Sequence, residues 1–217
     1  MAHDHWPVWG ISIRTPRLDL RPVREAEMLD LVELAARGIH DRAIMPFEVP
    51  WTDTPSPRRE QEAFDFWMGC WASLGPQAWR LAFAAYCGDE CVGTQDLAAT
   101  DYPERRTVVT GSWLGLAHQR RGLGKELRAA VLHLAFGALG ARRAESAAFD
   151  DNEASIGVST ALGYRADGEQ DAPRRGSPAR QVRFVMDRDH WSRSAARAVA
   201  VTVEGVDAAV LEQLGAG

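Results

Sequence analysis

Cysteine is scarce in this chain: three thiols in 217 residues, at positions 70, 87 and 91. An odd number argues against a closed disulfide framework, and none of the three has the paired spacing of a zinc site, so no metal is expected. Cys87 and Cys91 flank Gly88-Asp89-Glu90, which reads as a hairpin turn, and are expected near one another as reduced structural thiols. No apolar run reaches membrane-spanning length, and the N-terminus, Met-Ala-His-Asp-His-Trp, lacks the basic stretch and apolar core of a secretion signal. A cytoplasmic protein with no membrane partner is expected. Positive charge is not in excess either: the formal net charge is −5. Nucleic-acid affinity rests on neutralising phosphates with Lys and Arg, so no nucleic-acid partner is expected. Internal repeats and low-complexity segments are missing as well.

What is present suits one compact catalytic domain, since a chain of this length with 46% hydrophobic content can bury a full core. Ile11 to Leu20 reads as a first strand and Arg24 to Arg37 as a helix, with Met28, Leu31, Val32 and Ala35 on one face. Prolines at 46, 50, 55 and 57 break regular structure, and Arg59 to Leu74 follows as a helix with Phe64, Trp67, Met68 and Trp71 at helical spacing. Three extended runs, Trp79 to Cys87, Glu90 to Ala99 and Thr107 to Leu116, read as an antiparallel meander. Lys125 to Gly140 carries a broad apolar face and reads as a helix buried against a sheet. Arg143 to Phe149 is the next strand, and Asn152 and Gly163 are good caps for a helix between them. Residues 165 to 179 hold two prolines, two glycines and several arginines, which predicts a mobile connection that could touch a ligand. Arg180 to Met186 alternates as a closing strand would. Beyond a domain spanning residues 1–192, the segment 193–217 reads as a strand (198 to 203) and a helix (207 to 214) that cover a sheet edge or a neighbouring subunit, so a homo-oligomer is expected.

The most informative positions are Gln119 to Gly124, Gln-Arg-Arg-Gly-Leu-Gly, between an extended apolar run and a periodic helix. At such a junction unpaired backbone N–H groups and the positive helix end favour an anion. Glycines at 122 and 124 let the backbone approach a phosphate with no Cβ in the way, while Arg120, Arg121, Lys125 and Arg128 concentrate positive charge in an acidic chain. A Walker A loop is excluded, because Gln119 and Glu126 stand where glycine and a hydroxyl residue would be required. A dinucleotide fingerprint is excluded because its third glycine position is Leu127.

The spacing that remains, Gln/Arg-x-x-Gly-x-Gly/Ala between strand and helix, resembles the acyl-CoA loop of the GNAT acyltransferases. The order Gly111-Ser112-Trp113-Leu114, the loop, Asp151-Asn152-Glu153-Ala154-Ser155 and Leu162-Gly163-Tyr164 is similar to the RimJ/RimL-like branch, as is Thr15-Pro16-Arg17-Leu18-Asp19-Leu20-Arg21-Pro22. Met45-Pro46-Phe47, Val49-Pro50-Trp51 and Val203-Glu204-Gly205-Val206-Asp207 extend a resemblance to mycobacterial GNAT succinyltransferases over nearly the whole chain. The resemblance implies an α/β (α+β) GNAT fold, a mixed, mostly antiparallel central sheet flanked by helices, here with a C-terminal strand-helix extension. It also implies an N-acyltransferase moving an acetyl or succinyl group from acyl-CoA to a primary amine of a protein or small molecule.

The same resemblance assigns roles. Backbone N–H groups from Arg121 through Gly122, Leu123, Gly124 and Lys125 would bind pyrophosphate, with Gln119 shaping the loop, and Arg120 and Arg121 either facing the 3′-phosphate or solvated. Trp113, Leu114, Gly115 and Leu116 would pair with the pantetheine amides and supply an oxyanion donor. Asn152 is placed for the pantetheine arm, or for the helix cap, or both. Ser155 is either the acid that protonates the departing thiolate or a local partner of the helix backbone. Where many GNAT enzymes carry a tyrosine acid this chain has Ser159, and where they carry a glutamate base it has Val109. Asp96 is the substitute base, or the amine arrives neutral. Trp51 and Trp79 are candidate substrate-binding walls, and Trp67 and Trp71 pack in the core or join them. A succinyl carboxylate would need a cation near the groove, most naturally an arginine, which the sequence does not single out. A non-catalytic acyl-CoA-binding or sensing protein is the competing reading.

Overall fold

The computed structural model describes residues 5–217. In chain order it contains β1 (Ser12–Arg14), β2 (Asp19–Pro22), α1 (Glu25–Ala36), α2 (Arg58–Ala72), β3 (Ala78–Cys87), β4 (Glu90–Thr100), α3 (Tyr102–Arg105), β5 (Thr107–Leu114), α4 (Leu123–Leu132), β6 (Arg143–Phe149), α5 (Glu153–Leu162), β7 (Arg165–Arg174), β8 (Ser177–Asp187), α6 (Arg188–Trp191), α7 (Ala195–Ala198), β9 (Thr202–Glu204) and α8 (Ala208–Gln213). The strands form one nine-stranded sheet in the order β7-β8-β6-β5-β4-β3-β2-β1-β9. Every pairing is antiparallel except β5 with β6.

That parallel pairing covers only Thr107–Val109 against Arg143–Glu145. Past it the two strands share no registered partners, so the sheet opens at its centre. β4 and β5 stay paired from Gly93/Leu114 to Ala98/Val109. The α4 helix lies under the opening, with Leu127, Ala130 and Val131, and Leu134 just past its end, fully buried as the apolar stripe requires. It is extended by one π-helical stretch, His133–Ala138.

Three expectations need correction. The first strand is not continuous: Thr15 N–H donates to Leu18 O, and Pro16, which cannot donate to a ladder, sits in the resulting turn between β1 and β2. Residues 165 to 179 are not an irregular connection but the β7–β8 hairpin, turning at Arg175-Gly176 with φ of 49° and 80°. The hairpin escapes sequence pattern because β7 is an edge strand whose side chains, Ala172 apart, stay out of the core. Met68 is not on the buried face of α2 but 61% exposed. In the tail, β9 pairs with β1 of its own chain and so covers that sheet edge. The thiols Cys70, Cys87 and Cys91 are free, and burial pushes those of Cys70 and Cys91 up to about 11.

Candidate active site

A cleft of about 1080 Å³ runs through the opening between β5 and β6 and continues across the sheet to the side covered by α2. Its donor end is the loop after β5. Gly122 caps α4 with φ 79°, and the first-turn N–H groups of Leu123, Gly124 and Lys125 have no preceding helical turn to bond. Arg120 also holds a left-handed backbone, φ 58°, a conformation that costs a non-glycine residue about 1–2 kcal/mol. Left-handed residues interspersed in a turn curl successive N–H groups toward one point, an anion-binding concavity. Lys125, the only lysine in the chain, lines the cleft with Arg120, Gly122 and Gly124.

The loop is held from both sides. Gln119 Nε2 donates to Leu114 O at 2.9 Å and Ile39 O at 2.7 Å, fixing the loop to its strand and to the segment after α1. On the outer side the buried Glu126 carboxylate accepts from Thr15 Oγ1 at 2.5 Å, Arg17 N at 2.9 Å and Arg17 Nε at 2.7 Å, while Arg17 Nη1 donates to Arg121 O. Burial disfavours the Glu126 anion, but those donors outweigh it and hold its pKa below the usual glutamate value. The turn between β1 and β2 therefore braces the loop from a hundred residues away. The Leu123 side chain is buried in the core, and the Arg121 side chain does not line the cleft, so these two contribute through backbone alone.

Along β5, Gly115 N–H donates to Val92 O, and Leu116 N–H to Gly38 O. Those two N–H groups are thus spent, against the expectation that all of residues 113 to 116 could pair with pantetheine. With Gly115 and Val92 a hydrogen-bonded pair, antiparallel alternation turns Trp113 toward β4 and leaves Leu114 and Ser112 facing the opening. Across the gap, Asn152 Oδ1 accepts from Ser155 N–H at 3.1 Å, so its oxygen is a helix cap. Its amide nitrogen is left for the cleft, which Asn152 and Ser155 both line. Ser159 is fully buried with its hydroxyl unpartnered, outside the cleft.

On the acceptor side, Asp96 lies on β4 opposite Gly111 and pairs with Arg80 Nη1 at 3.0 Å. Burial raises the Asp96 pKa, and the Arg80 charge and hydrogen bond partly offset it. Trp51 lines the cleft 6.0 Å from Trp113, with Phe47 a further 5.7 Å from Trp51, and Val49, Phe66 and Val109 are exposed along it. Trp79 does not belong here. It is buried against Tyr102 at 5.1 Å, its indole N–H donating to Leu214 O, and it serves to dock the C-terminus. Trp67 and Trp71 are buried, Trp71 donating to Val23 O, though Trp67 also reaches the cleft wall. Sequence reading missed Arg80, Phe66 and the hydroxyls of Ser146 and Ser112, to which Arg128 donates. Arg128 itself carried a signal, an arginine on a helix apolar on nearly every side.

Among the described residues no group of three His, Cys, Asp or Glu could hold a metal ion, and no helix is long and apolar enough to cross a membrane.

A sheet opened between two parallel strands, with an anion loop at the mouth and an unpaired strand edge beside it, defines a class of domain with room for an extended anionic ligand. Residues 17–165 match the acetyltransferase (GNAT) domain family, and the chain belongs to that family. Solved structures agree on the fold. RimJ of Mycobacterium smegmatis in complex with CoA-disulfide superposes with a TM-score of 0.72 at 19% identity, covering 86% of this chain and 90% of that one. RimL, the ribosomal L7/L12 α-N-protein acetyltransferase in complex with coenzyme A, superposes at 0.65 and 17% identity, covering 80% and 95%. A GCN5-related N-acetyltransferase from Brucella melitensis superposes at 0.64 and 20% identity, covering 83% and 80%.

Proposed function

We propose that the protein moves an acyl group, acetyl or succinyl, from CoA to a primary amine by direct attack in a ternary complex. One observation carries this: the cleft joins an anion loop, an unpaired strand edge and a separate aromatic chamber in one continuous space. The first two suit a polyanionic cofactor with an amide-bearing arm, and the third an acceptor.

In this reading the pyrophosphate sits on the N–H groups of Leu123 to Lys125, and the arm pairs with the free edge of β5 opposite Asn152. The Leu114 or Ser112 N–H polarises the thioester carbonyl. The amine lone pair forms the C–N bond, the C–S bond breaks with its electrons leaving on sulfur, and the nitrogen gives up one proton as the thiolate gains one. Ser155, at the first turn of α5 and facing the cleft, is the donor to sulfur and regains its proton from solvent. Asp96 is the acceptor of the amine proton, its burial raising its basicity above that of a surface carboxylate. The acceptor is an amine on a protein or a small molecule, carried on a group that can lie against Phe47, Trp51 and Phe66.

A sensing role that holds acyl-CoA without turnover draws support from the Arg80–Asp96 pair, which competes with the acceptor for the base. Thiol release measured with a panel of amines separates the two. Tight CoA binding with no amine-dependent release from any donor would rule out the transferase.

A further inference from the structure

Three residues that carry a full charge are buried among those described: Glu27, Glu126 and Arg128. Glu27 has Arg24 beside it and Glu126 has Arg17. Arg128, 3% exposed, has no carboxylate. Its Nη1 donates to Ser146 Oγ at 3.0 Å and its Nη2 to Ser112 Oγ at 3.4 Å, a weak contact, while Nε has no partner at all. Thr110, also on the cleft wall, and the buried phenol of Tyr164 complete the surroundings; burial raises the Tyr164 pKa, and Arg128 and Thr110 partly offset it. The cluster is one permanent cation and four hydroxyls. A guanidinium does not lose its proton in a protein, and a buried charge without a counter-ion is costly.

The place of this cation is specific. Ser112 is on β5 and Ser146 on β6, both past the last registered pair of those strands, Val109 with Glu145, Ser146 being the next residue and Ser112 lying further along. Arg128 therefore bridges them from α4 at the closed end of the opening, while the pyrophosphate loop stands at its mouth. Other cations of the cleft are accounted for: Arg80 is neutralised by Asp96, and Arg120 and Lys125 belong to the loop. A cofactor arm entering from the loop brings its acyl end, not its phosphates, to Arg128.

We propose that Arg128 with Ser112 binds a carboxylate at the end of the acyl chain, so that the preferred donor is a short dicarboxylic acyl-CoA of succinyl type. This rests on the acyl-CoA reading above and deepens it. The carboxylate supplies the missing counter-ion through charge-assisted hydrogen bonds from the guanidinium and a hydroxyl. It takes no part in bond making.

The test compares succinyl-CoA with butyryl-CoA, the same chain length without the charge, by calorimetric titration of the intact protein and by kcat/KM. Succinyl-CoA is expected to bind and react at least ~tenfold better, as one charge-assisted contact provides. In Arg128→Gln that ratio falls to near one. Should this variant fail to fold, Ser112→Ala, at an exposed position of the cleft wall, is used instead and lowers the ratio about threefold or more. Equal use of the two donors by the wild-type protein overturns the proposal, and so does a ratio that survives Arg128→Gln or the Ser112→Ala substitute. Failure to bind CoA, acetyl-CoA or any acyl-CoA would instead overturn the acyl-CoA reading itself.

Discussion

Asn152, the only asparagine in the chain, is asked to do two jobs with the two ends of one amide, and substitution can separate them. Its Oδ1 caps α5 through Ser155 N–H at 3.1 Å, and its nitrogen faces the cleft. Asn152→Ala loses both ends. The cap is worth about 1 kcal/mol, which for a chain of this size lowers the melting temperature by roughly 2–4 °C. Asn152→Asp keeps the capping oxygen and adds a negative charge at a helix N-terminus, where it is favourable, so its melting temperature should match or slightly exceed that of the wild type. The φ of −88° at this position strains neither replacement. In the cleft, however, Asp removes a hydrogen-bond donor and sets an anion where a pantetheine carbonyl would lie. Losing the bond and adding the repulsion costs about 1–3 kcal/mol, or roughly 5- to 150-fold in the Kd for CoA. Thermal melts paired with calorimetric CoA titrations read both quantities on the same samples. A wild-type Kd in Asn152→Asp would show that the residue is a cap alone. A loss of stability in Asp equal to that in Ala would show that the cap is not what the oxygen contributes.

Glu126→Gln tests the brace behind the loop and should cost about 1.5–3 kcal/mol in urea denaturation at pH 7, the range for hydrogen bonds to a charged group. Because the folded Glu126 pKa lies below its ordinary value of 4.5, the stabilisation is present above pH ~4.5 and is lost as pH falls through the lowered value; the Gln variant should lose less stability over that window, and identical acid dependence would refute the assignment. In the proposed mechanism Asp96 acts as the base in its ionised form, so activity should rise with pH through an inflection above the ordinary 3.8. Asp96→Asn should cut kcat by about 10²–10⁴ and abolish that acid limb, whereas an unchanged limb would remove Asp96 from the mechanism. Lys125 can be probed chemically because no other lysine competes: an amine-reactive ester should label it in the free protein and much less with saturating CoA, read by mass spectrometry. Equal labelling in both would place the phosphates elsewhere.

The donor half of the cleft was legible because it is nearly contiguous. Strand, loop and helix from Thr107 to Leu132 carry their own signals: an extended run, glycines where the backbone must turn left-handed or come close, and a 3.6-residue apolar stripe. Asn152 and Gly163 marked both ends of α5 because capping is a local requirement. Trp79 was misplaced for the opposite reason. Nothing within its own segment shows that Leu214, 135 residues later, returns to accept its indole proton. The brace of Thr15 and Arg17 on Glu126, over a hundred residues apart, was equally silent.

The acceptor half is assembled from pieces that do not touch in sequence: Phe47 and Trp51 before α2, Phe66 within it, Arg80 and Asp96 on neighbouring strands, and Gln181 on β8. Only Trp51 and Asp96 among these could be named from residue type, and neither with a partner. The structure supplies the partners, and they change the chemistry. Asp96 is not a free base but one leg of an ion pair, so an amine approaching it meets Arg80 at the same carboxylate. A protonated amine would be repelled by that guanidinium even as the carboxylate attracts it. A neutral amine pays no such cost, although the one proton it sheds after attack neutralises Asp96 and with it the charge that holds Arg80. Arg128, by contrast, has no carboxylate to share, and the charge it lacks is one a donor can bring. The two arginines thus sit on opposite faces of the opened sheet and, in the proposed reaction, have opposite requirements: an acceptor that arrives uncharged beside Arg80, and an acyl group that brings an anion to Arg128.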